Sequence, residues 1–272
     1  QVAIQYRCDS QGGQIRPLSA NCEQDNTPWM LPDGRVLYMR WEYVDRSRVN
    51  YHHLWTMNPD GTGQMVYYGN LHQGTVMLDA KPIPGTDKVL AVFSPGHGRL
   101  EHGGHLTVVD SSAGPDARSH ARELSLGGAF PAARLEDCRD PYPLAENCIL
   151  FASARSLYLT DGHGRTEEIY TLPSTLPGHL WIQEPRPVCA RPVEPAIASK
   201  VRLSEETGYV VLQDVNHGRN MRGVQPGAIK SKTIAGVVRL DGKVMTDDLV
   251  KQLLTKEVTL EMKVTATGET KK

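Results

Sequence analysis

The sequence repeats itself about every fifty residues, and a regular period of this length restricts the fold more than any other feature. Five segments share one pattern: an apolar triplet, then Asp or Asn, then a turn containing glycine, then a strand-like run. They are Tyr6–Gly13, Trp55–Gly63, Thr107–Gly114, Tyr158–Gly164 and Val211–Gly218. The anchors Asp9, Asn58, Asp110, Asp161 and Asp214 are separated by 49, 52, 51 and 53 residues. Because they recur at equivalent positions, Asp9, Asp110, Asp161 and Asp214 are read as turn formers that bind backbone amides.

Each unit reads as hairpins. Asn58-Pro59-Asp60-Gly61 combines a proline with fixed φ and a glycine free to take positive φ, as a tight antiparallel turn requires. A second hairpin precedes each anchor, at Pro32-Asp33-Gly34, Pro84-Gly85-Thr86 and Pro143–Glu146. The runs Val36–Met39, Val89–Phe93 and Cys148–Ala152 are nearly continuous in apolar residues, the signature of strands buried on both faces. Two hairpins per period make four strands, one propeller blade.

The expected fold is therefore all-β: a partial β-propeller of about four to five blades, each of four antiparallel strands. A β-sandwich of short strands is the rival, and the even period decides against it. The propeller repeats are expected over residues 1–236, with blade ends near 14, 68, 124, 172 and 236. Residues 237–272 form a C-terminal extension, expected as a short helix over 246–256 followed by a strand.

Bulk properties exclude several classes. A net charge of −1 over 272 residues gives no electrostatic reason to expect nucleic acid as a partner. No stretch is apolar enough for a membrane span. The first residue is Gln1 and no signal sequence is visible, so a removed leader or a longer parent is expected. The five cysteines, Cys8, Cys22, Cys138, Cys148 and Cys189, cannot all pair within the chain; Cys138 and Cys148 could bridge across a hairpin. None lies in C-x-x-C-H, so no covalently held haem is encoded. A P-loop, a dinucleotide fingerprint and a G-x-S-x-G elbow are absent too.

Polar clusters supply the candidate sites. His97, Glu101, His102 and His105 on a glycine-rich loop could ligate a metal, with solvated loop histidines as the plainer reading. His97, His102 and His53 are the candidate haem or cofactor ligands. Neighbouring strand residues point to opposite faces, so at most one of His52 and His53 serves a given site, and His53 could instead pack inside its blade. Arg40, Tyr43, Arg46 and Arg48 could line a channel mouth or bind an anion, or form ion pairs that stabilise the blade.

Several stretches resemble the middle, propeller domain of the hydrazine synthase alpha-subunit family. They are Asn26–Asp45, His53–Thr62, Asp79–Lys88, Phe93–Gly98, Asp140–Leu144 and Glu184–Pro187, and the resemblance covers roughly residues 5–230. The Asp-Gly hairpins more loosely resemble TolB-type repeats. The resemblance implies a bacterial module facing the periplasm or cell exterior, often within large proteins that also carry c-type cytochrome segments. On this basis the expectation is a non-catalytic scaffold or binding platform whose partners are other domains or subunits of an exported assembly. The alternative is part of a multihaem oxidoreductase, in which the propeller donates a histidine to haem or zinc held with a neighbouring domain. A propeller hydrolase or sugar-binding protein rests on fold analogy alone.

Overall fold

A computed structural model describes residues 3–19, 24–43, 46, 49–96, 103–202, 204 and 223. Contacts divide the chain into Gln1–Val201 and Arg202–Lys272. The architecture below belongs to the first unit. The expected fifth anchor Asp214 and the expected helix and strand of the C-terminal extension lie outside the described residues.

Three successive four-stranded antiparallel meanders make up the fold. A short ladder of β1 (Tyr6–Arg7) and β2 (Arg16–Pro17) precedes them. The first meander holds β3 (Gln24–Met30), β4 (Val36–Trp41), β5 (Tyr51–Met57) and β6 (Met65–Tyr68). The second holds β7 (Thr75–Pro82), β8 (Val89–Ser94), β9 (His105–Val109) and β10 (Ala121–Glu123). The third holds β11 (Arg139–Ala145), β12 (Cys148–Ser153), β13 (Ser156–Thr160) and β14 (Thr166–Thr171). The described residues are thus all-β, a partial, propeller-like array of blades, and no sheet among them closes on itself. Strand β5 also stitches two blades together, since Tyr51 and His52 pair in parallel with Thr75 and Val76 of β7.

The turns form where the sequence places turn residues. Gly34 (φ 87°) closes the β3–β4 hairpin, its amide donating to the Leu31 carbonyl at 2.9 Å. The anchors bind amides: Asp9 accepts from Gly13 at 2.7 Å, Asp110 from Ser112 at 3.0 Å, and Asp161 from His163 at 2.7 Å. Each of these three thereby satisfies backbone donors that the reversal of the chain would leave unpaired. The anchor Asn58 instead donates to Thr62 Oγ1, and Asp60 accepts from the Thr62 amide.

Two apolar layers hold the blades face to face. Leu37, Leu54 and Tyr68 of the first blade meet Met77, Val89 and Ala91 of the second. Leu90, Val92, Leu106 and Val108 on the opposite face meet Ile149, Phe151 and Tyr158 of the third. Strand β8 thus buries both of its faces, which explains its lack of apolar–polar alternation. Burying one such side chain fully contributes roughly 1.5–3 kcal/mol.

Cys138 and Cys148 are both free thiols. The β11–β12 register places Cys148 opposite Ala145, at the turn end of the hairpin, whereas Cys138 precedes β11 at its far end. Cys138 instead packs in the core and donates to the Leu135 carbonyl.

Beyond Leu172 the chain runs to Val201 without a strand. Prolines at 173, 177, 185, 187, 192 and 195 each remove a ladder donor, so the segment cannot join a sheet interior. It forms a strap from the third blade back to the first. Its start is fixed by the Ile182 amide donating to Ala154 at 2.8 Å. Its end is fixed by Asp60, whose carboxylate accepts from the Lys200 amide at 2.6 Å and from Ser199 at 3.3 Å.

Candidate functional site

The first strand of each blade carries a kink at an equivalent place. Thr27, Asp79 and Asp140 take φ of 49°, 52° and 49°, and each sits at a break in register: Asn26 to Trp29, Leu78 to Lys81, Arg139 to Tyr142. Glu184, on the strap, repeats the conformation at 46°. Positive φ is uncommon outside glycine, and four such residues in one sequence context indicate a repeated backbone device. That context is visible in the sequence as Thr27-Pro28, Asp79-Ala80-Lys81-Pro82, Asp140-Pro141-Tyr142-Pro143 and Glu184-Pro185-Arg186-Pro187.

The kinks turn these side chains toward one another. The Asp79 amide donates to Thr27 Oγ1 at 3.4 Å, and the Glu184 amide to Asp140 Oδ2 at 3.1 Å. Asp79, Asp140 and Glu184 bring carboxylate oxygens within 4.8 Å of one another, close enough to share one cation. A built-in cation already stands beside them. Lys81 is 4% exposed and donates to the Asp79 carbonyl at 3.4 Å. Burial pulls its ammonium below the usual lysine range, while the charges of Asp79, Glu184 and Asp140 oppose that pull.

Trp29 is the hub of the site. Lys81, Arg186 and Arg191 place their charged groups 5.1, 4.9 and 5.5 Å from its ring centroid, and Tyr142 meets it edge-on at 6.0 Å. Arg186 also pairs with Glu184 at 2.7 Å. Two cavities adjoin the indole. One, of about 280 Å³, is lined by Thr27, Asp79, Lys81, Glu184 and Arg186. The other, of about 530 Å³, lies toward β1, Pro59 and the strap. The arrangement offers oriented charges of both signs around an aromatic face, which suits recognition of a polar small molecule.

Those residues singled out in the sequence that the structure describes, Arg40, Tyr43, Arg46, His53 and His105, lie elsewhere. Arg40 is 5% exposed, its Nε 2.7 Å from Asp25 Oδ1 and its guanidinium 4.4 Å over the Trp55 ring. It is part of a buried ion pair within the blade. Arg46 donates to the Asn70 carbonyl at 2.8 Å, pairs with Glu42 and stacks on Tyr51 at 3.8 Å. His53 has no solvent exposure; its Nε2 meets Arg46 at 3.2 Å and Glu42 at 3.7 Å, and its ring stacks on Trp55. Burial would raise the Glu42 carboxyl, but His53 and Arg46 hold it below the ordinary carboxylate range.

The Nδ1 of His53 has no hydrogen-bond partner among the described residues but is fully buried with the rest of the ring, so His53 presents no nitrogen to a haem held outside the blade. Tyr43 is exposed and meets Trp41 edge-on at 5.3 Å. His105 pairs with Glu123 at 2.6 Å at the blade edge. His97, Glu101, His102 and Arg48 lie outside the described residues. No helix among the described residues is long and apolar enough to cross a membrane.

Fold and site together define the class: a propeller-like, all-β module with a charged, aromatic-centred cavity between its first strands. Among solved structures it is similar to Kuenenia stuttgartiensis hydrazine synthase, at 23% identity and a TM-score of 0.47, over 58% of this chain and 21% of that one. The chain thus spans about a fifth of the length of that structure. No protein-family model matches the sequence, and no curated protein matches it.

Proposed function

We propose that the chain is a non-catalytic β-propeller binding module of an exported bacterial assembly, and that its ligand is a polar small molecule held beside Trp29. One observation carries the reading: three equivalently kinked residues, Thr27 of the first blade, Asp79 of the second and Glu184 of the strap, line a single cavity. Maintaining that kink costs backbone strain of order 1–3 kcal/mol per residue, an expense that recurs mainly where a site requires it. The exported, bacterial setting is supported by the resemblance of stretches such as Asp79–Lys88 and Glu184–Pro187. Donation of a histidine to haem or a metal is the weaker reading, because the described candidates, His53 for haem and His105 for a metal, are both engaged with carboxylates.

The test is a thermal-shift screen of polar metabolites on the purified chain and on Arg186→Gln, with each ligand recovered and analysed. A ligand that stabilises the unmodified chain only, and is recovered unchanged, supports the module. Conversion of the ligand overturns the non-catalytic reading, and equal stabilisation of both proteins overturns the location.

A further inference from the structure

We infer that the larger cavity beside Trp29 takes an amphipathic organic anion, an oxyanion head on a compact apolar body. This rests on the reading of the chain as a binding module and assigns a ligand class to the second cavity, which shares Trp29 and Arg186 with the kinked one. The cavity, about 530 Å³, has Leu18, Met30 and Val36 in its wall together with the Trp29 indole. Three arginines, Arg7, Arg186 and Arg191, also line it, against the single acid Glu194.

Arg186 is committed to Glu184 at 2.7 Å. Arg7 spends one N–H on the Pro59 carbonyl at 3.3 Å, and both Arg7 and Arg191 are exposed at the cavity. Even with Arg186 neutralised, two guanidinium groups face one carboxylate, so the cavity carries surplus positive charge. A cation would be repelled there, and a neutral ligand would leave the surplus unanswered. Guanidinium forks match the planar geometry of carboxylate, sulfonate and phosphate oxygens, and two forks from different segments can grip one head group. The apolar wall and the indole then cover the body of the ligand, whereas a purely inorganic anion would leave that surface wet.

The experiment titrates benzenesulfonate and its uncharged analogue methyl phenyl sulfone into the full chain, following tryptophan fluorescence. Parallel titrations use Arg7→Gln/Arg191→Gln and Trp29→Phe. The sulfonate is expected to bind about tenfold tighter than the sulfone and to lose about tenfold in affinity in the double variant. Its affinity in the unmodified chain falls as salt rises. Arg7 and Arg191 are both exposed, so their replacement leaves the fold intact, and the salt series needs no variant.

Equal affinity for sulfonate and sulfone, or a double variant that binds as tightly as the unmodified chain, overturns the anion class. If that equal binding is still weakened by Trp29→Phe, the binding cavity stands and only the ligand class fails. Absence of binding by either probe overturns this inference, while the metabolite screen on Arg186→Gln still decides the broader reading.

Discussion

The backbone amide of Glu184 donates to the carboxylate of Asp140 at 3.1 Å, tying the strap to the kinked first strand of the third blade. The same relation recurs between Asp79 and Thr27, from the second blade to the first. The first two blades, and the strap and the third blade, are therefore registered at the kinks by polar contacts, in addition to the apolar layers between blade faces. Replacing Asp140 by Ala removes this acceptor and one carboxylate of the cluster. The expected cost is about 1–3 kcal/mol in denaturant unfolding, with Asp140→Asn, which keeps an acceptor, costing less.

The strap's far anchor predicts acid sensitivity. Burial would raise the Asp60 carboxyl, but hydrogen bonds from Thr62, the Lys200 amide and Ser199 hold it well below the usual range. A carboxylate whose folded value is depressed contributes stability above its unfolded value near 4 and loses it as pH falls through the folded value. Protection of the Lys200 amide from hydrogen exchange should therefore be intact above about pH 4 and decline below it. Asp60→Asn should abolish that dependence.

Gly34 should tolerate no side chain. It has φ of 87°, and a Cβ there would lie 2.2 Å from the Pro195 carbonyl oxygen, so the strap would have to move. Gly34→Ala is expected to lose the Lys200 amide protection while retaining β-rich circular dichroism, since the obstructed contact is with the strap. Unchanged protection would show that the strap is held independently of this approach.

Arg40 and Asp25 form a buried pair with two contacts, of 2.7 and 3.1 Å, and Asp25 also accepts from Ser19. Removing one member of a buried pair typically costs 3–5 kcal/mol, because the other charge stays in low dielectric. Arg40→Met should lower the denaturant midpoint by about that energy. The double replacement Arg40→Met/Asp25→Leu should recover much of the loss.

The cysteines should separate by reactivity. Cys138 is fully buried, and burial, with Asp137 adding to it, pushes its thiol far above the ordinary value, whereas Cys8 and Cys189 are exposed. Mass mapping after alkylation at neutral pH should find Cys8 and Cys189 modified and Cys138 modified only after unfolding.

The sequence made the all-β, bladed class legible because its signals are local. Runs such as Val89–Phe93 declare buried strands, and Asp33-Gly34 or Asp60-Gly61 declare turns within a few residues. The site was not legible in the same way. Asp79, Asp140 and Glu184 are far apart in the chain, and only the meeting of successive first strands brings them together. Their signal, Asp or Glu followed by Pro or Ala and by a Pro three residues on, was present but reads locally as an edge or turn. Histidines drew attention through their chemistry, yet His53 is consumed by packing and by its Arg46–Glu42 neighbours. The strap escaped because its prolines say locally that no interior strand forms there but not where the segment docks.

That strap also changes how the array should come apart. In a linear stack each blade is stabilised only by its immediate neighbours, so an end blade can fray without consulting the far end. A segment fixed at Ala154 and Asp140 on one side and at Asp60 on the other adds a direct coupling between first and third blades. Loss of the first or the third blade then releases the other's tether as well, and the three described blades gain a shared cooperativity that a row of repeats coupled only to neighbours would lack.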